Sequence, residues 1–151
     1  MAIASCLVDT NILLRVARRS DPQHKLVDDA LTKLALAGTA FHYTHQNIAE
    51  LWNVMTRPLD RNGFGLAVAE AERAVRLVES GMTLLPDSDA VYREWRRIIL
   101  QQEVLGVQVH VARLVAATRV RQVSHLLTLN VADFSRYSGI TVVHPSAVPT
   151  L

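Results

Sequence analysis

Three acidic residues stand where an alternating α/β chain would place chemistry. Asp9 directly follows an apolar run in "CLVDTNIL", and Asp133 lies shortly after the run that ends in "LLTLN". Glu50 sits in "QNIAELWNVM", the helical segment after a second apolar run. In open parallel sheets the working site lies at the carboxyl ends of the strands, so an acid just past a strand reaches that edge. Glu50 lies off the apolar stripe of Ile48, Leu51, Trp52 and Met55, so its helix need not bury it. Converging carboxylates repel one another unless a cation lies between them. A hard divalent ion takes oxygen ligands and keeps several waters. Such an ion activates water and stabilises charge on a phosphoryl group. Each acid also has a structural role open to it. Asp9 suits a strand-end turn, Glu50 a solvated helix face, and Asp133 a helix start with Asn130 at capping-box spacing. Their common position after strands favours the chemical role.

The elements that must bring these acids together are legible as alternating periods. Residues 3–8 read as a buried strand and 12–16 as a short helix. Asp21-Pro22 is a helix-start signal. Val27, Ala30, Leu31 and Leu34 follow at helical spacing, and Gly38 ends the run. Residues 39–43 read as a second strand. Thr44 can cap the helix that carries Glu50, and Pro58 stops it. "PLDRNGFG" is a loop by composition. Val68, Ala71, Val75 and Val78 mark a further helix, with Glu72 and Arg76 paired one turn apart on its wet side. A short strand at 82–85 precedes a helix marked by Tyr92, Trp95 and Ile99. The stretch "VQVHVARLVAA", residues 107–117, reads as a core helix. Residues 104–117 contain no Ser, Thr, Asn or Asp to cap it, and Gly106 or a bond from His110 would be weak substitutes. A strand at 125–129, a helical turn over "VADFSRY" and a strand at 140–143 complete the chain. This alternation predicts an α/β fold with a parallel sheet covered on both faces.

Composition bounds the function. The chain has 151 residues, 50% hydrophobic and 20% charged, which suits one soluble domain over residues 1–151. No apolar run approaches a membrane span. The first residues carry no basic leader, so a cytoplasmic protein is expected. A single cysteine, Cys6, cannot form an internal disulfide, and its place in an apolar run suits a small buried hydrophobe. The net charge of +2 does not by itself demand nucleic acid. Of the 16 basic residues only Lys25 and Lys33 are lysines. Arginine suits phosphate recognition, although a GC-rich genome gives the same bias and the arginines form no single block. His42 and His45 lack an evident third ligand for zinc, and Trp52 and Trp95 fall in apolar stripes. The glycines form no phosphate-binding loop, and no Ser or Cys sits in a nucleophile elbow.

"VDTNILLR", "HQNIAELWNVMTRP" and "VARLVAATRVRQVSHLLTLNVADFSRY" together resemble the PIN domain, and more narrowly the VapC-type toxins of bacterial type II toxin–antitoxin systems. The resemblance runs through essentially the whole chain. It implies a three-layer α/β/α sandwich with a central, mainly parallel sheet. It also implies an endoribonuclease dependent on Mg²⁺ or Mn²⁺, often a homodimer, blocked by a small VapB-like antitoxin. Carried over by residue, Asp9, Glu50 and Asp133 are implied as catalytic and metal-binding acids. Asn11 and Thr128 are implied to position ligands or water, and Asn130 to shape the same loop. Arg113 would lie near the RNA path, or form a salt bridge on its helix surface.

The departure is Val111. Similar sequences read "HDARLVAA" where this chain reads "HVARLVAA", so the third acid of the family would fall on a residue that cannot ligate a metal. One carboxylate about 5 Å from a divalent ion contributes roughly 6 kcal/mol of gross Coulomb attraction at an effective dielectric of about 20, with a much smaller net. Asp9 and Asp133 with water could still hold one ion; a second ion is disfavoured. An Asp at 111 would, on the sequence alone, serve both helix start and metal. The alternative is a degenerate PIN domain that binds antitoxin or RNA without cutting. A phosphoaspartate protein with Asp9 as nucleophile ranks lower, because no lysine follows Lys33 and the position two after Asp9 is Asn11.

Overall fold

The computed structural model describes residues 2–148. Five strands, β1 (Ser5–Val8), β2 (Ala40–Tyr43), β3 (Thr83–Leu84), β4 (His125–Leu127) and β5 (Thr141–Val143), form a parallel sheet in the order β3-β2-β1-β4-β5. Among the described residues six α-helices accompany them: α1 (Thr10–Ala17), α2 (His24–Leu36), α3 (His45–Thr56), α4 (Val68–Gly81), α5 (Asp89–Gln101) and α6 (Gln108–Val120).

The central strands are apolar throughout because both faces are covered. Successive strand residues point to opposite sides. Val8 and Leu127 pack with Ile12, Val27, Leu34, Leu51, Met55 and Val75 from α1 to α4. Leu7 and Leu126 pack with Val91, Ile98, Val115 and Ala116 from α5 and α6. The sheet therefore lies between two helical layers, as the resemblance implied.

The chain steps from β1 to β2 to β3 on one side, then crosses through α5 and α6 to β4 on the other side of β1. Strand order thus reverses between β1 and β4, and a crevice at such a switch point is where open α/β sheets bind ligands. Val8 pairs with Leu127 across these two strands. The next residues, Asp9 and Thr128, consequently emerge side by side at the carboxyl edge. The Asp9 N–H donates to the Leu127 carbonyl at 3.0 Å, and the Thr128 N–H to the Val143 carbonyl at 3.0 Å.

Two helix starts differ from the sequence expectation. Asp21-Pro22 forms a turn rather than a cap. Asp21 Oδ1 accepts from the Gln23 N–H at 2.8 Å, and α2 begins only at His24. The side chain of Asp21 closes an Asx turn, which competes with helix capping for the same oxygen. For α6 the cap position is Val107, which makes no side-chain cap bond. Gln108, Val109 and His110 instead donate to Leu105, Gly106 and Val107 at 3.2, 3.1 and 3.1 Å. Gly106 supplies the turn into this tight first coil with φ +56°. The backbone satisfies its own leading N–H groups through 3₁₀-type bonds. Val111 lies four residues beyond the cap position, so the missing cap and the position where the resemblance puts a third acid are separate. The side chain of Val111 is half-buried against the α5–α6 core.

Candidate active site

Asp9 is buried at the end of β1 and caps α1, donated to at Oδ1 by the Thr10 N–H at 2.7 Å. Its Oδ2 receives two more donors, Thr128 Oγ1 at 2.8 Å and Asn11 Nδ2 at 3.2 Å. Thr128 is fully buried, and its hydroxyl also accepts from Asn11 Nδ2 at 3.1 Å and from the Asn130 N–H at 3.0 Å. Asn11 Oδ1 in turn accepts from the Leu129 N–H at 3.1 Å. These bonds fix one rotamer of Asp9 at the sheet edge and use every lone pair and proton of the Thr128 hydroxyl. Asn11 and Thr128 bond to Asp9 directly; Asn130 contributes its backbone N–H to Thr128, and its side chain caps nothing.

Burial pushes the Asp9 carboxyl above the usual aspartate range. Hydrogen bonds from Thr128 and Thr10 pull it back, and the charges of Glu50 and Asp133 push it up again. The two other acids therefore act on Asp9 through their charge, without forming a cluster of three with it among the described residues. Glu50 is linked to Asp9 through Thr10. The Thr10 hydroxyl donates to Glu50 Oε2 at 2.8 Å while its own N–H holds Asp9. The fully buried Asn47 donates to Thr10 Oγ1 at 3.0 Å and forms a capping box with Thr44 at the start of α3. Gln46 Nε2 donates to Glu50 Oε1 at 2.8 Å and to the His110 carbonyl of α6 at 2.9 Å.

Thr10, Gln46 and Asn47 escaped the sequence reading. A partial signal existed: Gln46 stands four residues before Glu50, a spacing that brings side chains together on a helix. Asn47 stands three after Thr44, at capping-box distance. Nothing in spacing alone reveals the contact between Thr10 and Glu50, which lie 40 residues apart.

Asp133 lies in a short 3₁₀ turn, Val131–Phe134, anchored by the buried Phe134. Its side chain is exposed and makes no hydrogen bond or ion pair among the described residues. Arg113 pairs with Asp87 at 2.8 Å, the helix-surface salt bridge that was one of its two expected roles. Both partners are close to half exposed, so the pair contributes little to stability.

The donor set can be compared with what a divalent cation needs. Among the described residues no Lys, Arg or His forms an ion pair with Asp9, Glu50 or Asp133. Glu94, by contrast, holds both Arg97 and Arg119. Asp9 Oδ1 carries one donor and keeps a free lone pair, and Asp133 keeps all of its oxygens. Among the described residues no three His, Cys, Asp or Glu side chains stand close enough to hold one ion together. The residues fit a single hard cation carried by one or two carboxylates and several waters, which is how Mg²⁺ is commonly bound.

The PIN domain family model matches residues 6–137. The chain belongs to the PIN domain family. Solved structures share its fold. VapBC2 from Rickettsia felis, bound to a DNA fragment from its promoter, aligns with a TM-score of 0.69 at 13% identity, over 93% of this chain and 98% of that one. FitAcB from Neisseria gonorrhoeae gives 0.65 at 16% identity, over 94% and 99%. VapC20 from Mycobacterium tuberculosis, a toxin that cleaves the sarcin–ricin loop, gives 0.59 at 13% identity, over 80% and 86%. At these identities the likeness is one of fold. No curated protein sequence matches the chain. Among the described residues no helix of this PIN domain is long and apolar enough to cross a membrane.

Proposed function

We propose that this chain is a VapC-type toxin: one PIN domain over residues 1–151 that cleaves RNA phosphodiesters in the cytoplasm with Mg²⁺ or Mn²⁺. The observation that carries this is Asp9, buried and without a cationic partner among the described residues at the switch point of a parallel sheet, with Glu50 linked to it through Thr10 and the charges of Glu50 and Asp133 raising its proton affinity. A divalent ion resolves that repulsion. When bound, it supplies an activated water and neutralises charge on the phosphodiester.

Asp9 and Asp133 would hold the ion. Thr128, Asn11 and the Thr10 N–H hold Asp9 in its ionised form and aim its remaining lone pair. Glu50 keeps a free lone pair on each oxygen and would help hold the ion through its water shell, or accept a proton from that shell. Arg113 would meet the RNA backbone by exchanging Asp87 for a phosphate. A groove of about 560 Å³ lies among α1 to α4, lined by Leu13, Val16, Leu51, Leu77, Val78 and Met82. Arg19, His24 and Asp28 stand at it as polar groups. An apolar helix of a small VapB-like antitoxin suits such a groove. The active form is proposed as a homodimer.

Val111 favours a second reading, in which the domain binds its antitoxin or RNA without cutting. One experiment separates the two. Cleavage of RNA is measured for the natural chain, Asp9→Asn and Val111→Asp with Mg²⁺ and Mn²⁺ titrated. The nuclease reading expects metal-dependent cleavage that is lost in Asp9→Asn and increased in Val111→Asp. Identical residual cleavage in the natural chain and Asp9→Asn, with antitoxin binding intact, would establish the binding protein instead.

A further inference from the structure

Gln46 occupies an unusual place. It belongs to α3, in the layer that covers one face of the sheet, and its amide reaches over the carboxyl edge to α6, in the opposite layer. Its bond to the His110 carbonyl is the one side-chain hydrogen bond between α3 and α6 among the described residues. The same nitrogen holds Glu50 Oε1. Both partners can only accept, so the amide must present its NH₂ group to them, and each of its two protons is used. The receiving carbonyl lies in the first turn of α6, next to Val111.

Glu50 has two restraints. Thr10 holds one oxygen to the β1 edge, and Gln46 holds the other toward α6. Without Gln46, Glu50 would keep a single tether and could swing to solvent, since its residue is only half-buried. We infer that Gln46 is the positioning residue of this site: it clamps Glu50 between α3 and the first turn of α6, so that Glu50 faces Asp9. This rests on the metal-site reading above. It assigns Gln46 an action through Glu50, with no contact to ion or substrate.

The test is a double-mutant cycle read in Mn²⁺ binding by calorimetry, with RNA cleavage measured in parallel. The chains are the natural one, Gln46→Met, Gln46→Glu, Glu50→Ala and Gln46→Met/Glu50→Ala. Methionine keeps the length and removes the donors, whereas glutamate keeps the shape and repels Glu50. Hydrogen bonds to charged groups are strong, and part of that strength should reach the ion, so either Gln46 variant should weaken Mn²⁺ binding about threefold to tenfold. Gln46→Met should add less than about twofold to Glu50→Ala, because nothing is left to position. Cleavage should fall in kcat more than in KM. Unchanged Mn²⁺ binding in both Gln46 variants, or effects that add fully to Glu50→Ala, would overturn the assignment. Coupled effects on Mn²⁺ with no cleavage by the natural chain or Val111→Asp would retain Gln46 and remove the nuclease reading. Cleavage with additive effects would do the reverse, and no Mn²⁺ binding by the natural chain would remove both.

Discussion

Thr128→Val tests the support beneath Asp9. The replacement keeps the shape of a fully buried side chain and deletes one hydroxyl. Three bonds are lost: the donor to Asp9 Oδ2 at 2.8 Å, and the acceptances from Asn11 at 3.1 Å and Asn130 at 3.0 Å. The Asn130 residue is exposed and its N–H can turn to water, and Asn11 retains Asp9. The uncompensated loss is therefore the bond to the carboxylate. Hydrogen bonds to charged groups contribute about 1.5–3 kcal/mol, so the metal-free protein should lose about 2 kcal/mol of stability. For a chain of this size that lowers Tm by roughly 4–8 °C. Urea and thermal unfolding at neutral pH measure it, in the natural background and in Asp9→Asn. With the charge removed, the penalty should shrink to about 1 kcal/mol or less. An equal penalty in both backgrounds, or none in either, would refute the view that Thr128 acts by holding an ionised Asp9.

Three further outcomes follow from named residues. Val111→Asp should destabilise the metal-free protein, by about 1 kcal/mol of lost apolar packing plus acid repulsion, and saturating Mn²⁺ should close the resulting Tm gap. A Tm gap that persists with Mn²⁺ would show that an acid at 111 does not meet the ion. His125 is held below the ordinary histidine range by burial, so its unfolded form takes a proton first. Its contribution to stability is present above about pH 6.5 and is lost as pH falls, and His125→Gln should flatten unfolding free energy between about pH 7 and 5. Burial pushes the Cys6 thiol up to about 12. Ellman's reagent at pH 8 should leave the native protein untouched and titrate one thiol after unfolding.

The fold was legible where one period dominated. Val27, Ala30 and Leu34 are buried on α2, and Ala71 and Val75 on α4, as their spacing requires. Glu72 and Arg76 pair at 2.8 Å on the exposed side. The ends were harder. Residues 128 and 129 continue an apolar-looking run, yet β4 stops at Leu127, and beyond it the Thr128 hydroxyl bonds to Asp9 and the Leu129 N–H to Asn11. Asp21 misled because its side chain closes a turn onto the Gln23 N–H instead of capping α2, and the start of α6 was misplaced because its leading N–H groups bond to backbone carbonyls from Leu105 onward. Within the site, acids after strands could be found from topology alone. Their supports could not, because Thr10 with Glu50 and Gln46 with His110 meet only after three layers have packed.

The two halves of the site depend on different parts of the fold. Asp9 and Thr128 sit on neighbouring central strands whose register is fixed by Val8 opposite Leu127. A one-residue slip there would turn every buried strand residue to the wrong face, so the pair is placed by the most strongly determined part of the chain. Glu50 depends on something softer, the approach of the α3 N-terminus to the first turn of α6. That turn starts without a side-chain cap and rests on 3₁₀-type bonds, one glycine turn and the Trp95 indole bond to Val109 at 2.8 Å. A substitution in α6 should therefore disturb Glu50 first and leave Asp9 in place. None of the bonds that organise Asp9 comes from α6, the helix that carries Val111. This division predicts an order of damage: removing the Trp95 bond with Trp95→Phe should weaken Mn²⁺ binding through Glu50 while the environment of Asp9, seen in the amide resonances of Thr10 and Asn11, stays unchanged. Large shifts at Thr10 and Asn11, with Glu50 undisturbed, would show that the order runs the other way.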